Sequence, residues 1–465
     1  MNKLIGILLF CTLVYSVQNA MIESSPPATL PEIDAWWGPQ CAKGRQDTSI
    51  KQFRIQYKKK MIKDLRYRLK NHRPFSPPLE GSNFTYGFNT NNMDNWINYW
   101  ADSYNFTARE EFMNQFNHFK TYIQGLDIHF MRIIPEVPEG VEVVPLLMLH
   151  GWPGSFLEFY KAAPLLTEAY KERGFAVELI VPSLPGFGFS SAAVRPGLGS
   201  SEMAVVFRNL MHRIGHKTFY IQGGDWGSII CTSLATLFPD EVLGYHTNFA
   251  VSYAIGTWAT WFGAAPNTAL QSLIVDPALA NRLFPLTTIF MGTLAESGYM
   301  HLQATKPDTL GVALSDSPSG ILAYILQTVS GATRSTNKNK PDGGLYDHFT
   351  QDELLDNLMV YWMNNAFTTA IRIYAESLNT RNVNAGVHSI KTSVPYWSIQ
   401  ARNEIRFNPP AMLKHKFTNL LNQTVLDDGG HFLAWEMPEI FSDSVLTAIT
   451  AFKNFGGRQI CKTEF

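Results

Sequence analysis

Gly223-Gly224-Asp225-Trp226-Gly227 follows an apolar run, Thr218 to Gln222, and leads into a helix-like stretch, Ser228 to Phe238. A strand, a tight glycine turn and a helix form an elbow that lifts a nucleophile above a sheet edge, at the positive end of the helix. Ester hydrolases carry Ser at the centre of this turn, and this chain carries Asp225. The exchange changes the chemistry. An Asp with an unperturbed pKa of about 3.9 is already an anion at neutral pH and needs no base to activate it. A carboxylate attacks alkyl carbon, as in an epoxide or an alkyl halide, and leaves an alkyl-enzyme ester. A lone Gly-x-Asp-x-Gly is equally an Asp capping a helix, so the reading rests on the strand and helix around it.

An ester intermediate must be released, which needs a base and donors for an oxyanion. His150-Gly151-Trp152-Pro153-Gly154-Ser155 follows the apolar run Val143 to Leu149. The backbone N–H groups of Trp152 and of Trp226 are the candidate oxyanion donors. Asp428-Gly429-Gly430-His431-Phe432 follows a late strand and supplies a candidate base, His431. Glu404, after the run Val394 to Ile399, is placed to orient the imidazole, with Asp427, Asp428 and Asp352 as rivals.

These residues need a sheet beneath them. Val143–Leu149, Val177–Val181, Thr218–Gln222, Val394–Ile399 and Thr424–Leu426 read as strands, with helical patterns such as Phe156 to Tyr170 between them. Alternating strands and helices predict a doubly wound, mostly parallel α/β sheet. The rhythm lapses over 251–378, which predicts a helical lid inserted in the core. The expected organisation is an N-terminal segment (1–20), an N-terminal extension (21–142), the core in two parts (143–250 and 379–465) and the lid between them.

Composition narrows the classes. Apolar residues at 45% and charged residues at 17% suit a sizeable core, and a net charge of -1 gives no field for nucleic acid. The four cysteines, Cys11, Cys41, Cys231 and Cys461, show neither a paired framework nor metal spacing, which leaves a Cys41–Cys461 bridge open. Lys3 precedes an apolar run from Leu4 to Val17, fit for a signal segment or a short membrane anchor. Between Lys51 and Arg73, ten Lys and Arg face one acid, Asp64, while Met61, Leu65 and Leu69 recur every four residues. That pattern predicts a helix with a basic outer face, either solvated or resting on anionic lipid.

Taken together, Trp-Trp-Gly-Pro at 36–39, His-Gly-Trp-Pro-Gly-Ser at 150–155, Pro-Ser-Leu-Pro-Gly-Phe-Gly-Phe-Ser at 182–190 and Gly-Gly-Asp-Trp-Gly-Ser at 223–228 resemble the microsomal epoxide hydrolase family, and within it the insect juvenile hormone epoxide hydrolases. Ser-Gly-Tyr-Met-His-Leu-Gln-Ala-Thr-Lys-Pro-Asp at 297–308 and Gly-Gly-His-Phe at 429–432 carry the likeness into the lid and the C-terminal end. The resemblance implies an α/β-hydrolase fold, no cofactor or metal, and a lipophilic epoxide and water as reactants. It implies that Tyr299 and Tyr374 donate protons to the epoxide oxygen, and it selects Glu404 through Asn403-Glu404-Ile405. It also implies a body held on the cytosolic side of the endoplasmic reticulum, with membrane lipid as a partner of the N-terminal segment. If that segment is cleaved, the protein is lumenal or secreted, and glycan at Asn83, Asn105 or Asn422 would report this. One departure is the stretch Tyr396 to Arg402, bulkier and more polar than is usual in the family, which bears on substrate range and on the placement of the acid. Two other readings stand beside this one: a haloalkane dehalogenase-like hydrolase, and a hydrolase-fold protein that binds a hormone without turnover.

Overall fold

The computed structural model describes residues 30–44 and 47–463. The apolar run from Leu4 to Val17 lies outside these residues, as does the side chain of Cys461 and with it the Cys41–Cys461 pairing.

One nine-stranded sheet organises the chain, in the order β1-β2-β3-β5-β4-β6-β7-β8-β9. β4 (Glu142–Leu149), β5 (Phe175–Pro182), β6 (Phe219–Gly223), β8 (Tyr396–Gln400) and β9 (Leu420–Val425) are the five expected strands. They run parallel together with β7 (Val242–Thr247), which the sequence pattern hid because Gly244 and His246 interrupt its apolar residues. β1 (Lys51–Phe53), β2 (His118–Ile123) and β3 (Leu126–Ile133) add an antiparallel flank, with β3 pairing directly to β5. The region before residue 143 therefore supplies one edge of the sheet itself. Its strands bury His118 and His129, whose rings bond to one another at 3.0 Å, so their inward positions do not read as apolar.

Helices cover both faces, as buried parallel strands require. The helix Asp225–Leu237 buries Ile230, Cys231, Leu234 and Ala235 in the 3.6-residue rhythm. Full burial of each large apolar side chain contributes about 1.5–3 kcal/mol. The helix Ser200–Arg213 packs beside it, and the C-terminal helix Pro438–Thr463 packs on β7 and on the helix Ala162–Thr167. The stretch expected as one helix, Phe156 to Tyr170, is divided into a 3-10 turn at Phe156–Phe159 and the short helices Ala162–Thr167 and Tyr170–Arg173. Pro164 lies in the first turn of the second piece, the one place in a helix where proline costs no hydrogen bond.

In the basic segment, Lys59–Lys70 is a helix that buries Leu65 and Leu69 and turns its cations outward. Between β7 and β8 the described chain is helical and irregular throughout, and it folds over the C-terminal ends of the parallel strands. Among the described residues no single helix is long and apolar enough to cross a membrane.

Candidate active site

β6 lies between β4 and β7, so the turns that leave β4 and β6 are neighbours at the same end of the sheet. Asp225 opens its helix with φ at 46°, a left-handed backbone that a non-glycine residue adopts only under local constraint. The constraint is crowding. A Cβ on Gly227 would run into the carbonyl of Leu149, and one on Gly151 would run into the Asp225 carboxylate. Thr247 Oγ1 donates to the Gly223 carbonyl at 2.6 Å and pins the end of the strand.

The Asp225 carboxylate is held from two sides. The Trp152 N–H donates to Oδ1 at 2.8 Å. His431 Nε2 lies 3.3 Å from Oδ2. The Trp226 N–H sits in the first helical turn, where backbone amides have no intrahelical acceptor. The loop that presents Trp152 is braced by the lid: Asn357 donates to the Pro153 carbonyl at 2.7 Å, and Tyr361 donates to that of Gly154 at 2.6 Å. His150 lies beneath it with Nδ1 3.0 Å from the Gly151 carbonyl, while Nε2 accepts the Leu184 N–H at 3.2 Å. Burial holds the pKa of His150 down to about 4, so it stays neutral and structural.

His431 stands between two carboxylates. Its Nδ1 lies 2.7 Å from Glu404 Oε1, a side chain with no exposed surface. Burial opposes the charged imidazole. The Glu404 charge and the bond to Asp225 outweigh that, and the His431 pKa is held well above the ordinary value. The loops that carry the two residues are stitched together by Arg402 N–H to the Asp428 carbonyl (3.2 Å) and Asn403 N–H to the Gly429 carbonyl (3.0 Å). Of the rival acids, Asp428 pairs with Arg334 and Asp352 accepts from Tyr99 at 2.8 Å. The bulky stretch before Glu404 is absorbed by the sheet: Tyr396 stacks on Phe417 at 3.8 Å between centroids, and Gln400 donates to the Ala250 carbonyl at 3.1 Å.

The lid brings the two tyrosines together. The helix Gly298–Thr305 carries Tyr299 and packs on Phe367–Ser377, which carries Tyr374. Their ring centroids are 6.1 Å apart. Tyr299 stacks on Trp152 at 5.3 Å, and Tyr374 meets Trp226 edge-on at 4.7 Å. Both phenols are pushed well above the ordinary value, first by burial and then by nearby negative charge. Deprotonation is thereby disfavoured, and each ring keeps a hydrogen to donate. All seven expected residues are thus brought together around the Asp225 carboxylate. Among the described residues no group of three or more His, Cys, Asp or Glu side chains is placed to hold a metal ion.

Three neighbours carried no sequence signal of their own. The Glu158 carboxyl packs where a Cβ on Gly154 would lie, and burial pushes its pKa up to about 8. Arg282, from the lid, donates to the Glu404 carbonyl at 2.8 Å. Glu436 accepts backbone N–H groups on either side of His431. Arg282 meets the site through packing of a distant segment, while Glu158 and Glu436 lie a few residues from Gly154 and His431 and turn back on them, which their residue type does not announce.

Comparison with known proteins agrees with this geometry. Residues 50–159 match the family described as epoxide hydrolase N terminus, and residues 144–438 match the alpha/beta hydrolase fold. The chain is 51% identical to the juvenile hormone epoxide hydrolase of Bombyx mori over 434 residues, covering 93% of each chain. It is 41% identical to epoxide hydrolase 1 of Sus scrofa, covering 89% of this chain and 91% of that one. The crystal structure of the Bombyx mori enzyme superposes with a TM-score of 0.89 at 52% identity, over 91% of this chain and all (100%) of that one. The structure of the Aspergillus niger epoxide hydrolase does so with a TM-score of 0.71 at 25% identity, over 88% of this chain and 97% of the other.

Proposed function

The chain belongs to the epoxide hydrolases of the α/β-hydrolase fold, and on that premise we propose that it converts lipophilic epoxides to diols through a covalent ester on Asp225. The observation that carries this reading is the carboxylate held between the Trp152 N–H (2.8 Å) and His431 Nε2 (3.3 Å), with Glu404 2.7 Å behind the imidazole.

In the first step Asp225 attacks an oxirane carbon and the C–O bond breaks. The alkoxide that develops is a stronger base than either phenolate and takes a hydrogen from Tyr299 or Tyr374, which burial keeps protonated until that point. In the second step His431 takes a proton from water, and the hydroxide attacks the ester carbonyl of Asp225. The Trp152 and Trp226 N–H groups then hold the oxyanion, whose collapse breaks the ester C–O bond; the departing oxygen takes the proton of the Asp225 carboxylic acid, leaving the diol and the carboxylate. Alkylation itself prepares His431 for this role. Once Asp225 is an ester, one of the two carboxylates that favour the imidazolium has lost its charge, and the ring gives up its proton more readily, which restores the tyrosine that protonated the alkoxide. Glu404 remains to stabilise the charge that returns.

The paired tyrosines favour an epoxide oxygen over a halide as the leaving group, because halide departure needs no proton. The aromatic cleft suits an apolar substrate. Similarity to enzymes named for juvenile hormone supports a terpenoid epoxide of that kind. The apolar run from Leu4 to Val17 supports attachment to the endoplasmic reticulum membrane, where such substrates partition.

The test is a trapping experiment. His431→Gln, incubated with an epoxide, is expected to accumulate protein heavier by the mass of that epoxide, with the adduct on the peptide that contains Asp225. A folded His431→Gln variant that carries no adduct would sink the mechanism. Release of chloride from a chloroalkane in place of diol formation would favour the dehalogenase reading.

A further inference from the structure

Glu436 ends the short helix Leu433–Glu436, and its side chain turns back toward the loop that precedes that helix. Oε2 accepts the Gly430 N–H at 2.8 Å, and Oε1 accepts the Phe432 N–H at 2.9 Å. These two amides flank His431, so one carboxylate spans the residue. The His431 N–H donates to the Ala332 carbonyl at 3.2 Å, and Asn248 Nδ2 donates to the His431 carbonyl at 3.4 Å. Three consecutive N–H groups, at 430, 431 and 432, are thus satisfied by a side chain and a lid carbonyl, with no share in helix or sheet.

The need for this clamp lies in the sequence of the loop. Gly429 holds φ at +81°, and Gly430 approaches Thr333 so closely that a Cβ would strike its backbone. Two adjacent glycines make the backbone soft just where the ring must be aimed. The imidazole has to keep its Nδ1 on Glu404 while its Nε2 addresses water beside Asp225, and a displacement of about 1 Å in such an arrangement costs on the order of 10²-fold in rate.

We propose that Glu436 is a positioning residue for the second half of the reaction: by accepting both amides that flank His431, it fixes the imidazole over the Asp225 ester. Its hydrogen bonds go to backbone amides and not to the ring, and its effect falls on ester hydrolysis far more than on alkylation. The proposal rests on the two-step reading above.

Single-turnover mixing with an epoxide, quenched in acid and read by mass spectrometry, separates the two steps. Glu436→Gln keeps the size of the side chain, but its amide nitrogen cannot accept, so one N–H is orphaned. Ester hydrolysis is expected to slow about 10–100-fold, the cost of one buried N–H left without its acceptor, while alkylation changes by less than about twofold; burial pushes the Glu436 pKa up to about 8, so the bond is not that of a fully charged carboxylate. Ester then builds up during turnover. Glu436→Asp, which keeps both acceptors, is expected to recover part of the lost rate, and formate is expected to do the same for Glu436→Ala.

Wild-type hydrolysis rates in Glu436→Gln and Glu436→Ala, alongside ester accumulation in His431→Gln, would overturn the positioning role and leave the two-step mechanism standing. Equal slowing of both steps, with a lowered melting temperature and no rescue by Glu436→Asp or formate, would overturn it as well, since that pattern marks a merely structural residue. Absence of ester even in His431→Gln would instead bring down the mechanism on which the proposal rests.

Discussion

Asp225, His431 and Glu404 form a chain of three titratable side chains, and in the proposed mechanism the middle one changes its task during turnover. Before attack, two carboxylates hold the imidazolium. Afterwards only Glu404 does. The pH dependence of the two steps should therefore differ. The rate of ester hydrolysis in single turnover is expected to rise with pH and level off, because the base is the neutral ring. Its midpoint should lie below the His431 pKa of the free enzyme, which both acids hold above the ordinary imidazole value. Nuclear magnetic resonance of the His431 ring gives the second number, and coincidence of the two would contradict the argument. The sign for stability is the opposite one. A His raised in the folded state contributes stability that is fully present below its unfolded pKa and is lost as pH rises through the folded value. At this scale much was legible in the sequence, because nucleophile, acid and base each sit beside a strand end and the glycines around them have steric reasons. Glu436 and Glu158 were not legible. Each lies within a few residues of a site residue but is an ordinary acid in sequence, and only the local turn of the backbone aims it inward.

At the scale of elements, the helix Gln351–Met363 ties three regions together. Its Asn357 and Tyr361 brace the turn that presents Trp152, and its Asp356 is gripped by Arg109 from the N-terminal region, with Tyr104 donating at 2.7 Å. Asp356 is buried, and burial raises its pKa to about 6 in spite of the guanidinium beside it. Arg109→Leu strands that acid without a cation, and is expected to cost about 3–5 kcal/mol of stability. The loss should grow as pH rises through and beyond about 6, because a raised carboxyl loses its folded-state advantage as it ionises. Melting temperature measured from pH 5 to pH 8 (on the order of the usual stability window) checks this. A double variant with Asp356→Asn is expected to regain part of the loss, and an Arg109→Leu protein as stable as the parent at every pH would refute the assignment. Elements with long apolar runs, β4, β5 and β6, were legible in the sequence. β2, β3 and β7 were not, because buried histidines and a glycine occupy positions where the alternation calls for apolar residues.

For the whole molecule, the proposed attachment to the endoplasmic reticulum membrane carries a prediction about which side the body occupies. Asn83 spends its side-chain amide on the Asn339 carbonyl at 2.8 Å, and Asn422 lies within β9 with its amide on Thr424. Asn105 is exposed and uses its oxygen to cap the helix Phe106–Met113, which leaves its amide nitrogen outward as the best placed acceptor for glycan. A cytosolic body predicts no change in gel mobility when protein made in insect cells is treated with glycosidase. A shift that disappears in Asn105→Gln would place the body in the lumen. The lid was legible in outline as the lapse of strand rhythm over 251–378. Its contact with the acid loop through Arg282 was not, since a single arginine in a helical stretch has no pattern to announce it.

The insertion of the lid between β7 and β8 divides the chain in a way that maps onto chemistry. Asp225 lies before the lid and the tyrosines within it, and these suffice to capture an epoxide. Glu404, His431 and Glu436 all lie after it, and in the proposed mechanism they act in letting the captured carbon go. On that mechanism, loss of the His431 side chain alone would leave a protein that still disarms reactive electrophiles, one molecule for one molecule. Its protective capacity would be set by how much of it a cell makes and no longer by how fast it turns over.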